Sequence, residues 1–170
     1  AVFGAAYGME VVNYFAPAGE EPYETPSFRR SNAHDIVGAE CHAVRTGVGL
    51  NEIHNFSKFD VTGPGAEAWL NRVLANRMPK IGRITLSPML NPLGKLIGDL
   101  TVSHIGEDHF QVTGSYAAQA YHMRWFEGQL PSPGVAIRNV SDERIGFQIA
   151  GALARDLLAR VTNQDLSTAN

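Results

Sequence analysis

The residue with the most pointed chemistry in this 170-residue chain is Asp99, set inside the apolar run Leu96-Ile97-Gly98-Asp99-Leu100-Thr101-Val102. A carboxylate in such surroundings is partly desolvated unless it faces a pocket, so it needs a partner or a ligand. The residues alone leave two roles open: an acid satisfying a backbone amide at a Gly98 bulge, or an acid turned toward a binding site.

Other chemistry-bearing residues point less sharply. The six histidines, His34, His42, His54, His104, His109 and His122, show neither HExxH nor paired i, i+4 spacing, and no carboxylate cluster accompanies them, so no metal site is expected. Cys41 falls on the apolar side of a predicted helix and reads as a core thiol rather than a nucleophile. Arg72, Arg77, Lys80 and Arg83 cluster near a helix end, either as a solvated face or as a hold for the anionic tail of a ligand. No Gly-x-Gly-x-x-Gly follows a strand, and neither a Walker loop nor a Gly-x-Ser-x-Gly elbow occurs, which removes the main support for dinucleotide, nucleotide and serine-hydrolase chemistry.

The elements that must position Asp99 follow from periodicity and turn chemistry. The Gly- and Pro-interrupted aromatics of residues 1–30 predict an extended lead-in arm. Asn32 and Asp35 open a predicted helix with Val37, Cys41, Val44 and Val48 on one face. Phe59 and Val61, alternating with Lys58 and Asp60, predict a half-buried strand; Gly63-Pro64-Gly65 then leads into a helix carrying Ala66, Trp69, Leu70, Val73 and Leu74. Runs at 84–90, 96–104 and 109–114 read as strands joined by short turns, hence antiparallel hairpins. A helix over 116–129, a loop over 131–134, strands over 135–140 and 144–149 and a final helix over 152–160 complete an α+β plan of antiparallel sheets flanked by helices.

With 44% hydrophobic residues the chain can bury a core, and 170 residues hold one domain of ordinary size. A net charge of −3 offers no field for a nucleic-acid backbone. No apolar run approaches the ~18 residues that cross a bilayer, and a single cysteine excludes an intramolecular disulfide, so a soluble protein of a reducing compartment without membrane contact is expected.

Several motifs in series carry a resemblance. They are Phe3-Gly4-x-x-Tyr7-Gly8-x-Glu10-x-x-Asn13-Tyr14-Phe15, Glu40-Cys41-x-Ala43-Val44-Arg45-x-Gly47-Val48-Gly49-Leu50, Phe56-Ser57-Lys58-Phe59-x-Val61-x-Gly63-Pro64-Gly65-Ala66, and Met89-Leu90-Asn91-x-x-Gly94 leading to Asp99-Leu100-Thr101-Val102. Together they resemble the tetrahydrofolate-binding part of the dimethylglycine and sarcosine dehydrogenases and, more broadly, the aminomethyltransferase (glycine-cleavage T-protein) superfamily. The resemblance runs from Ala1 to about Ser167.

The resemblance implies the N-terminal part, residues 31–170, of an aminomethyltransferase-like folate-binding fold. The implied activity passes a one-carbon unit between an amine and N5 of tetrahydrofolate. It places Asp99 beside the pterin as the acid that orients or polarises the reacting centre, and lines the folate pocket with Phe56, Leu86, Met89, Thr113 and Ser115. Gly98 stands where many T-proteins carry a second acid, which favours the dehydrogenase-linked branch. Asn51-Glu52 and Ala152 also depart from the common pattern. The implied partners are folate and a small methylated-amine donor, together with self-association or a partner chain supplying the other half of the domain or a flavin domain. The implied location is the cytoplasm, or the mitochondrial matrix in a eukaryote. Two other readings fit the same resemblance: a non-catalytic folate-binding or interaction remnant, and a tetrahydrofolate-dependent demethylase.

Overall fold

A computed structural model describes residues 1–6, 8–53, 55–129 and 133–167; Tyr7, His54, Leu130, positions 131 and 132 of the expected 131–134 loop and the last three residues lie outside the described residues. The chain divides into two compact units, Ala1–Asn51 with Gln148–Asn170, and Glu52–Phe147.

In the first unit, β1 (Val2–Ala6) and β2 (Met9–Tyr14) pair as an antiparallel hairpin, where the sequence predicts only an extended arm. Val2 and Tyr14 are paired across it and bury together with Ala33. Helix α1 (His34–Thr46) forms at the expected place. It buries none of its residues, however, and Cys41 is exposed, so the expected core thiol is corrected. A short strand β3 (Gly49–Glu52), absent from the sequence reading, pairs with a strand reduced to Phe147–Ala150 from the expected 144–149. The final helix is likewise shorter, Ala154–Leu158.

The second unit holds the five-stranded antiparallel sheet that carries every expected site residue. Its strands are β4 (Phe56–Thr62), β5 (Ile84–Leu90), β6 (Leu96–Gly106), β7 (His109–Ser115) and β8 (Ala136–Asn139), in the order β5-β6-β7-β4-β8. Helices α2 (Ala66–Val73) and α3 (Gln119–Gly128) supply the apolar partners of the sheet. Phe59 of β4 meets Phe126 of α3 edge-on at 5.4 Å, and Trp69 of α2 lies 5.9 Å from the same ring. Val61, Met89, Leu100, Val102, Phe110 and Val112 of the strands, with Ala66, Leu70, Val73, Leu74 and Met78, fill the rest of this core.

Local chemistry explains the elements. A Cβ on Gly63 would stand 1.9 Å from the Gly134 carbonyl oxygen, at a φ of +106°, so the tight entrance to α2 requires glycine. The β5–β6 turn is closed by Asn91, whose side-chain oxygen accepts from the backbone N–H groups of Leu93 and Lys95. The chain following α2 runs along β5, with Asn76 donating to the Leu86 carbonyl at 2.9 Å.

Strand β4 differs from its expected half-buried state: Lys58 and Asp60 are only 7% and 6% exposed. Arg144 lies against Asp60, and Ser141 extends the β8 pairing along the backbone edge of β4. Ser141 Oγ accepts from the Lys58 backbone N–H at 2.9 Å, and Arg144 makes a two-pronged pair with Asp60, 2.7 Å at Oδ1. Burial pushes the Asp60 carboxyl up, but the Arg144 hydrogen bonds and charge, with His109 Nε2 at 3.5 Å, outweigh it and hold the carboxyl below its ordinary value.

Because the folded-state value is the lower one, this stabilisation is fully present above the unfolded value near 3.8 and is lost as pH falls through the folded one. Asp60→Asn is expected to lower unfolding free energy at pH 7 by about 2–3 kcal/mol, since it leaves a partly buried guanidinium unpaired. Urea unfolding at pH 7 and pH 3 checks this: the gap between wild type and variant should shrink at the lower pH.

Candidate functional site

Alternation along the strands separates two faces of the sheet. On β6, Gly98, Leu100, Val102 and His104 are buried, whereas Asp99 is exposed. Asp99 thus lies on the face away from the core, and the partial desolvation expected from its apolar run is corrected: every second residue of that run faces the opposite way.

Register gathers the expected site residues on this open face. Leu86, Thr101, Thr113 and Lys58 follow one another across β5, β6, β7 and β4 through successive Cα pairings. One step along, Asp99 pairs with Pro88 of β5 and Ser115 with Phe56 of β4. Asp99, Phe56, Leu86, Thr113 and Ser115 therefore occupy two neighbouring rows about 7 Å apart, with strands spaced by about 4.8 Å. Leu86 is 58% exposed and Phe56 40%, both large apolar side chains held in solvent. Met89 is the exception. It is fully buried on the helix-covered face, among the core residues, and the structure does not bring it to the other five.

Lys58 stands in the same row as Thr113 and was read from the sequence only as the polar side of a strand. Its ammonium donates to the Phe56 carbonyl at 2.9 Å. Burial holds its pKa below the ordinary lysine value, with Arg144 acting in the same direction and Asp142 against it. The basic cluster does not form one site: Arg72 donates to the Gln129 carbonyl at 2.7 Å, while Arg77 lines a shallow cavity with Glu67, Asn71 and Met78. Among the described residues, no group of three or more His, Cys, Asp or Glu side chains is placed to hold a metal ion, and no helix is long and apolar enough to cross a membrane.

The antiparallel sheet with flanking helices is the fold of the aminomethyltransferase T-proteins. The glycine cleavage system aminomethyltransferase T of Bartonella henselae superposes with a TM-score of 0.70 at 22% identity, over 93% of this chain and 39% of that one. The chain belongs to the GCVT N-terminal domain family, whose model matches residues 1–170. Human mitochondrial dimethylglycine dehydrogenase is 33% identical over 94% of this chain and 19% of its own length. An aminomethyltransferase of Desulforamulus reducens is 27% identical over 91% of this chain and 43% of its own. The chain thus spans about a fifth of the dehydrogenase and less than half of the aminomethyltransferase.

The two faces respond differently to substitution. Asp99→Asn should change unfolding free energy by less than about 0.5 kcal/mol, as an exposed site does, whereas Met89→Ala should cost about 2–5 kcal/mol through the cavity it leaves. Denaturant titration of both variants tests this assignment of faces.

Proposed function

We propose that this chain is the N-terminal part of a longer folate-binding domain, and that it takes part in tetrahydrofolate-dependent transfer of a one-carbon unit. What supports the reading is the exposed carboxylate of Asp99 beside exposed Leu86 and Phe56 on one sheet face, in a chain of the GCVT N-terminal domain family. A reduced pterin suits these residues. Its flat ring has apolar faces for Leu86 and Phe56, and its ring N–H groups match a carboxylate acceptor and the hydroxyls of Thr113 and Ser115.

When bound, tetrahydrofolate supplies a nucleophilic ring nitrogen. The carboxylate of Asp99 serves the transfer in two ways: its charge stabilises a cationic iminium carbon, and its oxygens accept the proton that the ring nitrogen sheds as the new N–C bond forms. The donor fitting this chemistry is the iminium left when a small methylated amine gives up a hydride to an oxidant such as the flavin of a partner domain. The reading places the protein in the mitochondrial matrix in a eukaryotic source, in keeping with the dehydrogenase relatives, and in the cytoplasm otherwise.

A second reading draws support from Ile84, Leu90 and Leu96, which are 68%, 38% and 65% exposed. Apolar side chains in such number also suit a non-catalytic interaction module.

Isothermal titration with tetrahydrofolate separates the two. The transferase reading expects binding in the micromolar range. It also expects Asp99→Asn to lower transfer from a formaldehyde-equivalent donor by roughly 10²-fold or more with the fold intact. A folded full-length protein carrying this domain that fails to bind tetrahydrofolate would remove the transferase reading in favour of the interaction module.

A further inference from the structure

Two strands of the candidate site carry glycine at core-facing positions where their neighbours carry large side chains. On β6 the buried series is Gly98, Leu100, Val102 and His104; on β7 it is Phe110, Val112 and Gly114. One side chain accounts for Gly98 and touches the place of Gly114, where Leu100 Cδ2 stands closer still, 2.6 Å from an added Cβ. His122 of α3 is 2% exposed. A Cβ on Gly98 would stand 2.7 Å from its Nε2 and 3.1 Å from its Cε1, and a Cβ on Gly114 would stand 3.3 Å from its Nδ1. The imidazole therefore lies flush against the backbone of both strands, directly behind the residue that precedes Asp99.

The backbone at this point is irregular. The β5–β6 register runs through Pro88 with Asp99 and Met89 with Gly98, and then shifts to Leu90 with Leu96. Ile97 is thereby left over, the extra residue of a β-bulge. A bulge bends its strand and re-aims the side chains beside it, and buried polar groups freed from the ladder need another partner. His122 Nε2 lies 3.4 Å from the carbonyl oxygen of the bulge residue Ile97, within hydrogen-bond reach.

A carbonyl only accepts, so Nε2 carries the hydrogen, and in the neutral ring Nδ1 is bare. Nδ1 indeed has no hydrogen-bond partner among the described residues. Burial lowers the imidazole's pKa by more than the Ile97 bond raises it, which favours this neutral form. A leucine at position 122 would occupy similar volume and leave the Ile97 carbonyl without its bond.

We propose that His122 is a positioning residue: by bonding the Ile97 carbonyl at the bulge, it holds the local bend of β6 from which Asp99 projects onto the open face. The inference rests on the reading of Asp99 as the acid of the transfer site. Burial of Leu100 and Val102 holds the register from Gly98 onward; what the Ile97 bond adds is the local bend of the bulge, which sets the angle at which the Asp99 side chain leaves the sheet.

The test uses the full chain and the variants His122→Leu and His122→Gln, the latter retaining a side-chain N–H donor. The wild-type imidazole is expected to show the Nε2–H tautomer by nitrogen NMR, and the three-bond couplings of Asp99 are expected to report one χ1 rotamer. In the Leu variant those couplings should collapse to averaged values while the methyl resonances of Val61 and Val112 keep their positions; the Gln variant should restore them. Tetrahydrofolate-dependent transfer should fall on the order of 10²-fold in the Leu variant, as expected for a displaced catalytic group, and recover in the Gln variant. An Nδ1–H tautomer, or Asp99 couplings unchanged in the Leu variant, would overturn the positioning role. Failure of the full-length wild type to bind folate would instead overturn the transferase reading, while the couplings report the positioning role whether or not folate binds.

Discussion

Everything at the candidate site depends on the two-residue alternation of β6. Leu100 and Val102 are fully buried, and each fully buried aliphatic side chain contributes about 1.5–3 kcal/mol. Those contributions commit the even-numbered residues from Gly98 to His104 to the helix-covered face and leave Asp99 exposed on the other. A slip of one residue would bury the carboxylate without an ion partner and expose the leucine and valine, two penalties of the same sign. The core and the candidate site are in this sense two sides of one constraint, and the packing of Phe59, Phe110, Phe126 and Trp69 reaches the open face through the register of the strand between them.

The open face is itself divided. Over β4 it is covered by Arg144, with the Asp60–Arg144 pair as the electrostatic fastening. Over β5 and β6 it carries Leu86 and Asp99 in solvent. A surface that is apolar around an acid, beside a segment sealed by its own ion pair, suits a flat ligand with both apolar faces and N–H groups. The glycines belong to the same design. Gly98 admits an imidazole where a larger residue would hold it off, Gly114 makes room for Leu100 as well as that ring, and the imidazole then bonds the Ile97 carbonyl.

Much of the sheet was legible in the sequence because its signals are local. Asn91-Pro92-Leu93-Gly94 and Gly106-Glu107-Asp108 mark tight turns between alternating runs, and the observed β5, β6 and β7 fall within a residue or two of the expected strands. What was not legible rests on distant partners. Lys58 and Asp60 read as a solvent-facing stripe because Ser141 and Arg144, which bond them, lie 83 and 84 residues away. Cys41 read as a core thiol because α1 has helical spacing of apolar residues, yet no part of the unit packs closely enough to bury that face. Met89 shared a motif with the site residues but stands one position out of phase with Leu86, and phase decides the face. His122 was one histidine among six, and its placement becomes visible only when β6, β7 and α3 meet.

The most direct test of the account is a map of backbone and side-chain NMR shifts on addition of tetrahydrofolate. The account predicts that the largest changes cluster at Phe56, Leu86, Asp99, Thr101, Thr113 and Ser115, with Met89, Val102 and Val112 on the helix-covered face moving far less. Changes concentrated in the β1–β2 hairpin and α1, with Asp99 and its row unmoved, would contradict the claim that the open face of the sheet is the folate-facing surface.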